Sequence, residues 1–266
     1  MTRKKVSFIV PNFNNDKYLV ECLDSIFKQS YRPIEVVVID DASSDDSVKV
    51  LSEYNKSIKD VDDFELIVCL MDQNYGVANA RKKGMDRATG SIISTIDPDD
   101  YLIDFRITEL AVECIAEYKK KGIDVAVGSI TTIVDGHGGV VRLRGVQRLK
   151  NFPSSFDLLS RKHEVPGHFY FLKSIFSNYI SQQSGCLYED LQMKMDIANK
   201  YGFVFLNRQG LAYRQHMNGL SSVGRMKQIS TLLNIYIREL KNFSIFDFRH
   251  IRFYFFILYI LVKYKK

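Results

Sequence analysis

The sequence predicts an α/β fold: a mostly parallel, Rossmann-like sheet flanked by helices, with a C-terminal amphipathic helical extension. Three observations lead there. Short apolar, β-branched runs alternate with stretches of helical periodicity through the first half of the chain, as βαβ units require. The runs end abruptly in polar turns, at Pro11–Asn14, Asp40–Asp41 and Asp97–Asp100. The chain has 266 residues, 46% hydrophobic and 26% charged, enough for one large α/β domain with a smaller appended piece.

Val6 to Val10 reads as the first strand, ending at Pro11. Asn12-Phe13-Asn14-Asn15-Asp16 is a loop, with Asp16 as N-cap of a helix whose apolar face recurs at Leu19, Cys22, Leu23, Ile26 and Phe27. Pro33 marks the return to a second strand, Ile34 to Ile39, nearly all apolar, as a strand covered on both faces should be. Asp40 to Asp46 is an acidic turn leading into a helix that reaches about Tyr54. Glu65 to Leu70 is a third strand, Asn74-Tyr75-Gly76 a turn, and Val77 to Ala88 a helix stopped by Gly90. Ser91 to Ile96 is a fourth strand, and Pro98 puts Asp97, Asp99 and Asp100 just past its end. A further helix runs from about Ile107 to Gly122. Right-handed crossovers place successive strand ends on one edge, so the three polar turns should share a rim.

The pattern then changes. Val125 to Val134 and Val140 to Leu143 flank Asp135-Gly136-His137-Gly138-Gly139 as a hairpin. Phe152 to Ser184 is irregular and aromatic, Glu189 to Tyr201 reads as a helix, and Val204 to Leu206 as a short strand. Tyr213-Arg214-Gln215-His216 sits in a polar segment. Ile229, Leu232, Leu233, Tyr236, Ile237 and Leu240 define an amphipathic helix. Domain boundaries follow: 1–222 as the main domain, divided into a nucleotide-binding half (1–105) and an acceptor half (106–222), then the helical extension 223–266.

Cys22, Cys69, Cys114 and Cys186 show no CxxC spacing and read as reduced intracellular thiols. The opening apolar run breaks at Pro11, too soon for a signal-peptide core. The net charge of +6 favours an acidic partner: nucleic acid, nucleotide or anionic membrane. Phe253 to Val262 is aromatic and aliphatic, with Arg249 and Arg252 before it and Lys263, Lys265 and Lys266 after it. That run is too short for a span of ~20 residues. A basic aromatic helix lying on a membrane surface fits it, and the alternative is packing on the domain or on another subunit. The basic residues concentrate among aliphatic neighbours rather than in an RNA-binding motif, so no nucleic-acid partner is expected.

The rim carries the chemistry. Phe13 offers a flat face on which a base can stack. Asp40 or Asp41 can accept a hydrogen bond from a base N–H, and Arg81 can reach a base or a phosphate. Asp97 and Asp99 can hold a ribose and a hard divalent cation, which takes oxygen ligands. Each residue also has a bland role, as core, turn or surface charge, and so do Glu189 and Asp190, which can simply satisfy a helix N-terminus. Together they describe a nucleotide-diphosphate site.

At these residues the chain resembles a family 2 glycosyltransferase of the GT-A fold, of the bacterial surface-glycan type. Val6-Ser7-Phe8-Ile9-Val10-Pro11-Asn12-Phe13-Asn14 is similar to the family's opening strand and loop. Val38 to Asp45 is similar to its acidic second turn, Asn74-Tyr75-Gly76 through Arg81 to Gly90 to its middle helix, and Ile96-Asp97-Pro98-Asp99-Asp100 to its DxD motif. Tyr188-Glu189-Asp190-Leu191 resembles the acceptor-side acidic motif, and Tyr213-Arg214-Gln215-His216 the late basic segment. The resemblance implies an inverting, metal-dependent transfer from a nucleotide-diphosphate sugar, UDP being the favoured nucleotide, to a hydroxyl of a growing glycan that is polysaccharide, lipid-linked or glycoprotein-linked. It implies that Pro11, Phe13, Asn14, Asp40, Asp41, Asn74, Gly76, Arg81, Asp97 and Arg214 surround the nucleotide. Asp97, Asp99 and His216 would hold Mn²⁺ or Mg²⁺, His216 alternatively touching the diphosphate. Asp190, or its neighbour Glu189, would be the general base. Pro98 departs from the small residue that many relatives carry inside the DxD; it stiffens the turn without removing a carboxylate.

Two other classes compete. A non-catalytic nucleotide-sugar-binding protein would keep the rim and lose the base, and the intact Glu189-Asp190 pair argues against it. A divalent-ion signalling module would carry its acidic pair after the first strand, where this chain has Pro11-Asn12-Phe13-Asn14. The expected location is cytoplasmic, peripheral on the inner face of the cell membrane, with the apolar tail also suited to a homo-oligomer interface.

Overall fold

The computed structural model describes residues 3–58, 61–144, 151–153, 168–177 and 189–216, and describes 144, 177 and 189–192 by backbone only. Expectations that fall on 217–266, the helical extension and the basic aromatic tail among them, lie outside the described residues. Among the described residues, no helix is long and apolar enough to cross a membrane.

The first half alternates strand and helix as the periodicity requires: β1 (Val6–Asn12), α1 (Asp16–Phe27), β2 (Ile34–Asp40), α2 (Ser47–Ser57), β3 (Phe64–Leu70), α3 (Val77–Arg87) and β4 (Ile92–Thr95). A two-residue β5 (Tyr101–Leu102) follows, then α4 (Ile107–Lys120) and the hairpin β6 (Ala126–Val134) and β7 (Val140–Arg144). Next come β8 (Phe169–Leu172), α5 (Lys173–Ser177), α6 (Glu189–Lys200) and β9 (Phe203–Arg214). The strands form one sheet in the order β3-β2-β1-β4-β8-β6-β9-β5, with β7 beside β6. The pairs β1·β2, β1·β4 and β2·β3 are parallel. Every residue of β1 and β2 is buried, which explains their unbroken apolar runs.

The strand order places a topological switch point at β1. The chain moves from β1 outward to β2 and β3, then returns to lay β4 on β1's other side. In open α/β sheets the ligand crevice lies at the carboxyl ends of the strands beside such a point. Both β1 and β4 end there, at Asn12 and Thr95.

Several local expectations needed correction. Asp16 is the first residue of α1 rather than its cap; Asn15 is the N-cap and makes no side-chain capping bond. Pro11 does not end β1. Ile9 accepts from Ile96 on the β4 side and Asn12 accepts from Asp41 on the β2 side. Alternation therefore turns Pro11, which lacks an N–H, toward the side that β4 has already left. The sheet is mixed: β8 enters antiparallel between β4 and β6, within the segment read as irregular. The strand expected at Val204 to Leu206 is the twelve-residue β9, which takes in Tyr213 and Arg214.

Two devices fix how β1 and β2 sit against their neighbours. Glu35, buried in β2, accepts from Ser7 Oγ at 2.6 Å, Thr89 N at 2.8 Å and Thr89 Oγ1 at 2.6 Å, joining β1, β2 and the α3–β4 turn. Gly84 lets α3 lie directly on the sheet: a Cβ there would stand 2.4 Å from Ile9 Cγ2.

Candidate functional site

The first part of the rim is a polar latch between two strand ends. Asp40 Oδ2 accepts from Asn12 Nδ2 at 2.8 Å and from Ser43 Oγ at 2.7 Å, while Oδ1 accepts from Ser43 N at 2.9 Å. Asn14, at φ 55° in the left-handed region that asparagine tolerates, accepts from Ser44 N at 2.8 Å through its Oδ1. Phe13, between them, is 43% exposed, so it is a presented ring rather than a core residue. Pro11 is buried within β1 behind it.

Asp41 faces the other way. It accepts from Tyr75 N at 2.8 Å and Gly76 N at 2.7 Å, holding the N-terminus of α3 with a buried carboxylate. A negative charge at that end of a helix is favoured by the helix dipole. Gly76, at φ 88°, makes the turn, and Asn74 Oδ1 accepts from its N–H at 3.0 Å. Arg81, one turn along α3 and nearly buried, donates from Nη2 to Asp97 Oδ1 at 2.8 Å.

The second part is the acidic turn after β4. Tyr101 pairs with Ala212, so the antiparallel register carries Asp99 and Asp100 back alongside the end of β9. There Arg214 donates from its backbone N to Asp100 Oδ1 at 2.9 Å and from Nε to the Asp99 carbonyl at 3.0 Å. Its Nη2 pairs with Glu21 at 2.5 Å, and its guanidinium lies over Tyr18 and Tyr101, 4.8 and 5.3 Å from their ring centres. His216 Nε2 stands 2.9 Å from Asp99 Oδ2.

The field at this turn is strongly negative. Burial, then the neighbouring charge of Asp97, pushes the Asp99 carboxyl up, against the pull of His216. Burial, then Asp99 and Asp97, raises Asp100 well above the usual range. The Cys22 thiol is raised in turn by burial and by these carboxylates. Such a turn has the electrostatics of a cation site, and its carboxylate oxygens suit Mn²⁺ or Mg²⁺. Of the three expected ligands, Asp99 pairs with His216, while Asp97 is turned to Arg81. Among the described residues, no three acidic, His or Cys side chains already stand close enough to enclose an ion.

Beneath Asp97 lies a small polar cavity, part of it open to solvent, lined by Arg81, Asp97, Asp100, His168 and Lys194 among others. His168 comes from the residue before β8 and Lys194 from α6, both nearly fully buried. Glu189 and Asp190 open α6, as expected, and their side chains lie outside what is described.

The sequence placed the polar turns on one rim, and the structure brings Phe13, Asn14, Asp40, Asp41, Gly76, Arg81, Asp97, Asp99, Arg214 and His216 along one edge, their roles there being a separate matter. It missed Asn12, whose Oδ1 is buried with no partner among the described residues. It also missed Glu21, the partner of Arg214, and the His168–Lys194 wall. Asn12 stands in the quoted opening motif, so a signal existed; Lys194 and His168 had none, being a lysine on a helix and a histidine in an aromatic stretch.

A polar rim at the switch point of a mixed α/β sheet is the arrangement of the GT-A fold. The family model described as glycosyl transferase family 2 matches residues 7–180, and the chain belongs to that family. The glycosyltransferase GlyA of Streptococcus pneumoniae is 33% identical over 114 residues, 43% of this chain and 15% of that protein. TarS of Staphylococcus aureus, a poly(ribitol-phosphate) β-N-acetylglucosaminyltransferase, is 33% identical over 101 residues, 37% of this chain and 17% of that protein. The match thus spans less than a fifth of either relative's length. The crystal structure of TarS 1–349 with UDP-GlcNAc superposes with a TM-score of 0.66 at 20% identity, covering 88% of this chain and 66% of that one. A mannosyltransferase from Pyrobaculum calidifontis, solved with GDP-Man and Mn²⁺, superposes with a TM-score of 0.66 at 16% identity, covering 91% and 66%.

Proposed function

We propose that the chain is an inverting, metal-dependent glycosyltransferase that moves a sugar from a nucleotide-diphosphate donor, a UDP-sugar, to a hydroxyl of a growing surface glycan. The observation that carries it is the convergence at one switch point: an exposed ring and a polar latch on one side, and an Arg81–Asp97 pair and an Asp99–His216 pair on the other. The UDP-sugar and glycan assignments draw on TarS, a poly(ribitol-phosphate) β-N-acetylglucosaminyltransferase whose structure was solved with UDP-GlcNAc.

In this reading Phe13 stacks on the base, and Asp40 with Asn12 meets its polar edge. Asn14, Asn74 and Gly76 shape the loops around the nucleotide, and Arg81 and Arg214 balance the diphosphate charge. Asp97, Asp99 and His216 are the side chains that would hold Mn²⁺ or Mg²⁺, which when bound neutralises charge gathering on the diphosphate. Asp190, with Glu189 beside it, takes the proton from the acceptor hydroxyl. The acceptor oxygen bonds to the anomeric carbon as the bond to the diphosphate breaks on the opposite face, which inverts the configuration. The extension 223–266 supplies peripheral contact with the inner membrane face or with a second copy, and residues 1–222 form the transferase domain.

The test is a screen of nucleotide sugars with Mn²⁺, read as slow hydrolysis and as thermal stabilisation of the protein. A UDP-sugar should raise the melting temperature and release UDP, and both effects should vanish in Asp99→Asn. A protein indifferent to every nucleotide sugar and to Mn²⁺ would end this reading.

A further inference from the structure

The cavity beneath Asp97 is lined by an imidazole with a ring nitrogen that has no partner among the described residues. His168 is 2% exposed. Its ring is held between Phe8, stacked at 6.4 Å, and Tyr170, edge-on at 4.7 Å. Its Nε2 stands 2.6 Å from Ser94 Oγ. Ser94 has a single hydroxyl proton, and it donates that proton to the Phe169 carbonyl at 3.1 Å. With that proton on the Phe169 carbonyl, the 2.6 Å contact is satisfied by the imidazole tautomer that carries its proton on Nε2. Burial first, then the charge of Lys194, lowers the His168 pKa to about 3, so the ring is neutral. Nδ1 is then a bare acceptor, buried and without a partner among the described residues. Nearly all buried polar atoms are satisfied, so such an exception calls for a donor from outside the chain.

The cavity's walls say what can bring one. Arg81 and Asp97 belong to the proposed donor site and line this space as well. The geometry points to His168 Nδ1 as a specificity-determining acceptor for an O–H or N–H group on the sugar of the donor. This rests on the nucleotide-sugar reading above. A carboxylate or phosphate oxygen at the same point would meet a lone pair, so the sugar selected there presents a hydroxyl or an amide N–H. The ring's aromatic clamp fixes the acceptor before the ligand arrives, as a selective polar contact requires.

The test is calorimetric titration of the full chain with Mn²⁺, using UDP, GDP, UDP-glucose, UDP-galactose, UDP-N-acetylglucosamine and GDP-mannose against wild type and His168→Phe. The variant keeps the ring's shape and loses the acceptor. Its affinity for the free nucleoside diphosphate should stay within about twofold of wild type, while the best nucleotide sugar should bind roughly five- to tenfold more weakly, as for one lost neutral hydrogen bond. An equal loss for diphosphate and sugar would mark His168 as merely structural, and no loss for either would leave Nδ1 to a water; each overturns the inference. If His168→Phe fails to fold, His168→Leu carries the same comparison. Wild type that binds neither UDP nor GDP would instead take down the nucleotide-sugar reading itself, and this inference with it.

Discussion

Gly84→Ala should destabilise this protein even though it exchanges the poorest ordinary helix former for the best. Glycine inside a helix costs about 1 kcal/mol relative to alanine, so on an exposed face the change would help. Here the new Cβ stands 2.4 Å from Ile9 Cγ2 and 3.3 Å from Ile39 Cγ1. Carbon atoms rest at ~3.5–4.0 Å, so α3 or Ile9 must move by about 1 Å. Ile9 is fully buried in the strand at the sheet's centre, and its β-branched side chain has little rotamer freedom. Overpacking of that kind costs about 1–3 kcal/mol, and the rigid neighbour argues for the upper end. Subtracting the propensity gain leaves a loss of about 2 kcal/mol, or roughly 4–8 °C in melting temperature for a domain of this size. Thermal melting followed by circular dichroism reads it directly. Gly76→Ala is the contrasting control: nothing lies within 4 Å of its Cβ, and only its backbone is at stake, φ 88° and ψ 157° being a region open essentially to glycine alone, at about 1–3 kcal/mol for another residue. A Gly84→Ala protein that melts at or above wild type would refute the close seating of α3 on β1, and with it the placement of Arg81 beside Asp97.

Three further outcomes are expected. Burial alone would raise the Glu35 pKa, but the hydrogen bonds from Ser7 and Thr89 and the charge of Lys5 bring it below its ordinary 4.5. Its contribution is therefore present above that value and lost as pH falls through the lower folded value, so the melting gap between wild type and Glu35→Gln should be widest above about pH 5 and narrow below it; a gap independent of pH would contradict the buried ionised state. Asp190→Asn should lower turnover by about 10²–10⁴-fold while leaving UDP affinity unchanged, and full turnover in that variant would remove Asp190 from the role of base. Deleting residues 249–266 should abolish co-sedimentation with anionic vesicles, given about 1 kcal/mol for each basic residue near such a surface; a full chain that ignores those vesicles excludes membrane contact by the tail.

The sequence made the rim legible because each part of it follows from local chain chemistry. β1, β2 and β4 are apolar runs closed by polar or proline-bearing turns, and crossover handedness alone sends those turns to one edge. What it left open was direction. Asp40 and Asp41 read as an acidic pair in which either could meet a base. Neighbouring residues of a strand point to opposite faces. Asp40 therefore reaches the Asn12–Ser43 latch and Asp41 the start of α3. The second acid serves the placement of Arg81, a role invisible without the partner helix.

The second half was less legible because its partners are distant in sequence. β9 looked like three residues because its period breaks: Leu206 faces Ser129 while Gln209 faces the next residue, Ile130, leaving Asn207 and Arg208 without counterparts. A bulge of this kind interrupts the apolar alternation that betrays a strand, yet preserves the ladder on both sides. It also carries function forward. After a second shift the β6 ladder resumes at Leu211 opposite Thr131, where Leu102 of β5 pairs from the other side, and the continuation sets Arg214 and His216 against Asp100 and Asp99. A slip of one residue would turn these side chains to the opposite face. The basic end of the candidate site is thus placed by a register that begins over a hundred residues earlier, at Tyr101. That is why the Asp99–Asp100 turn and the Arg214–His216 segment, each recognisable alone, show their relation only in the folded sheet.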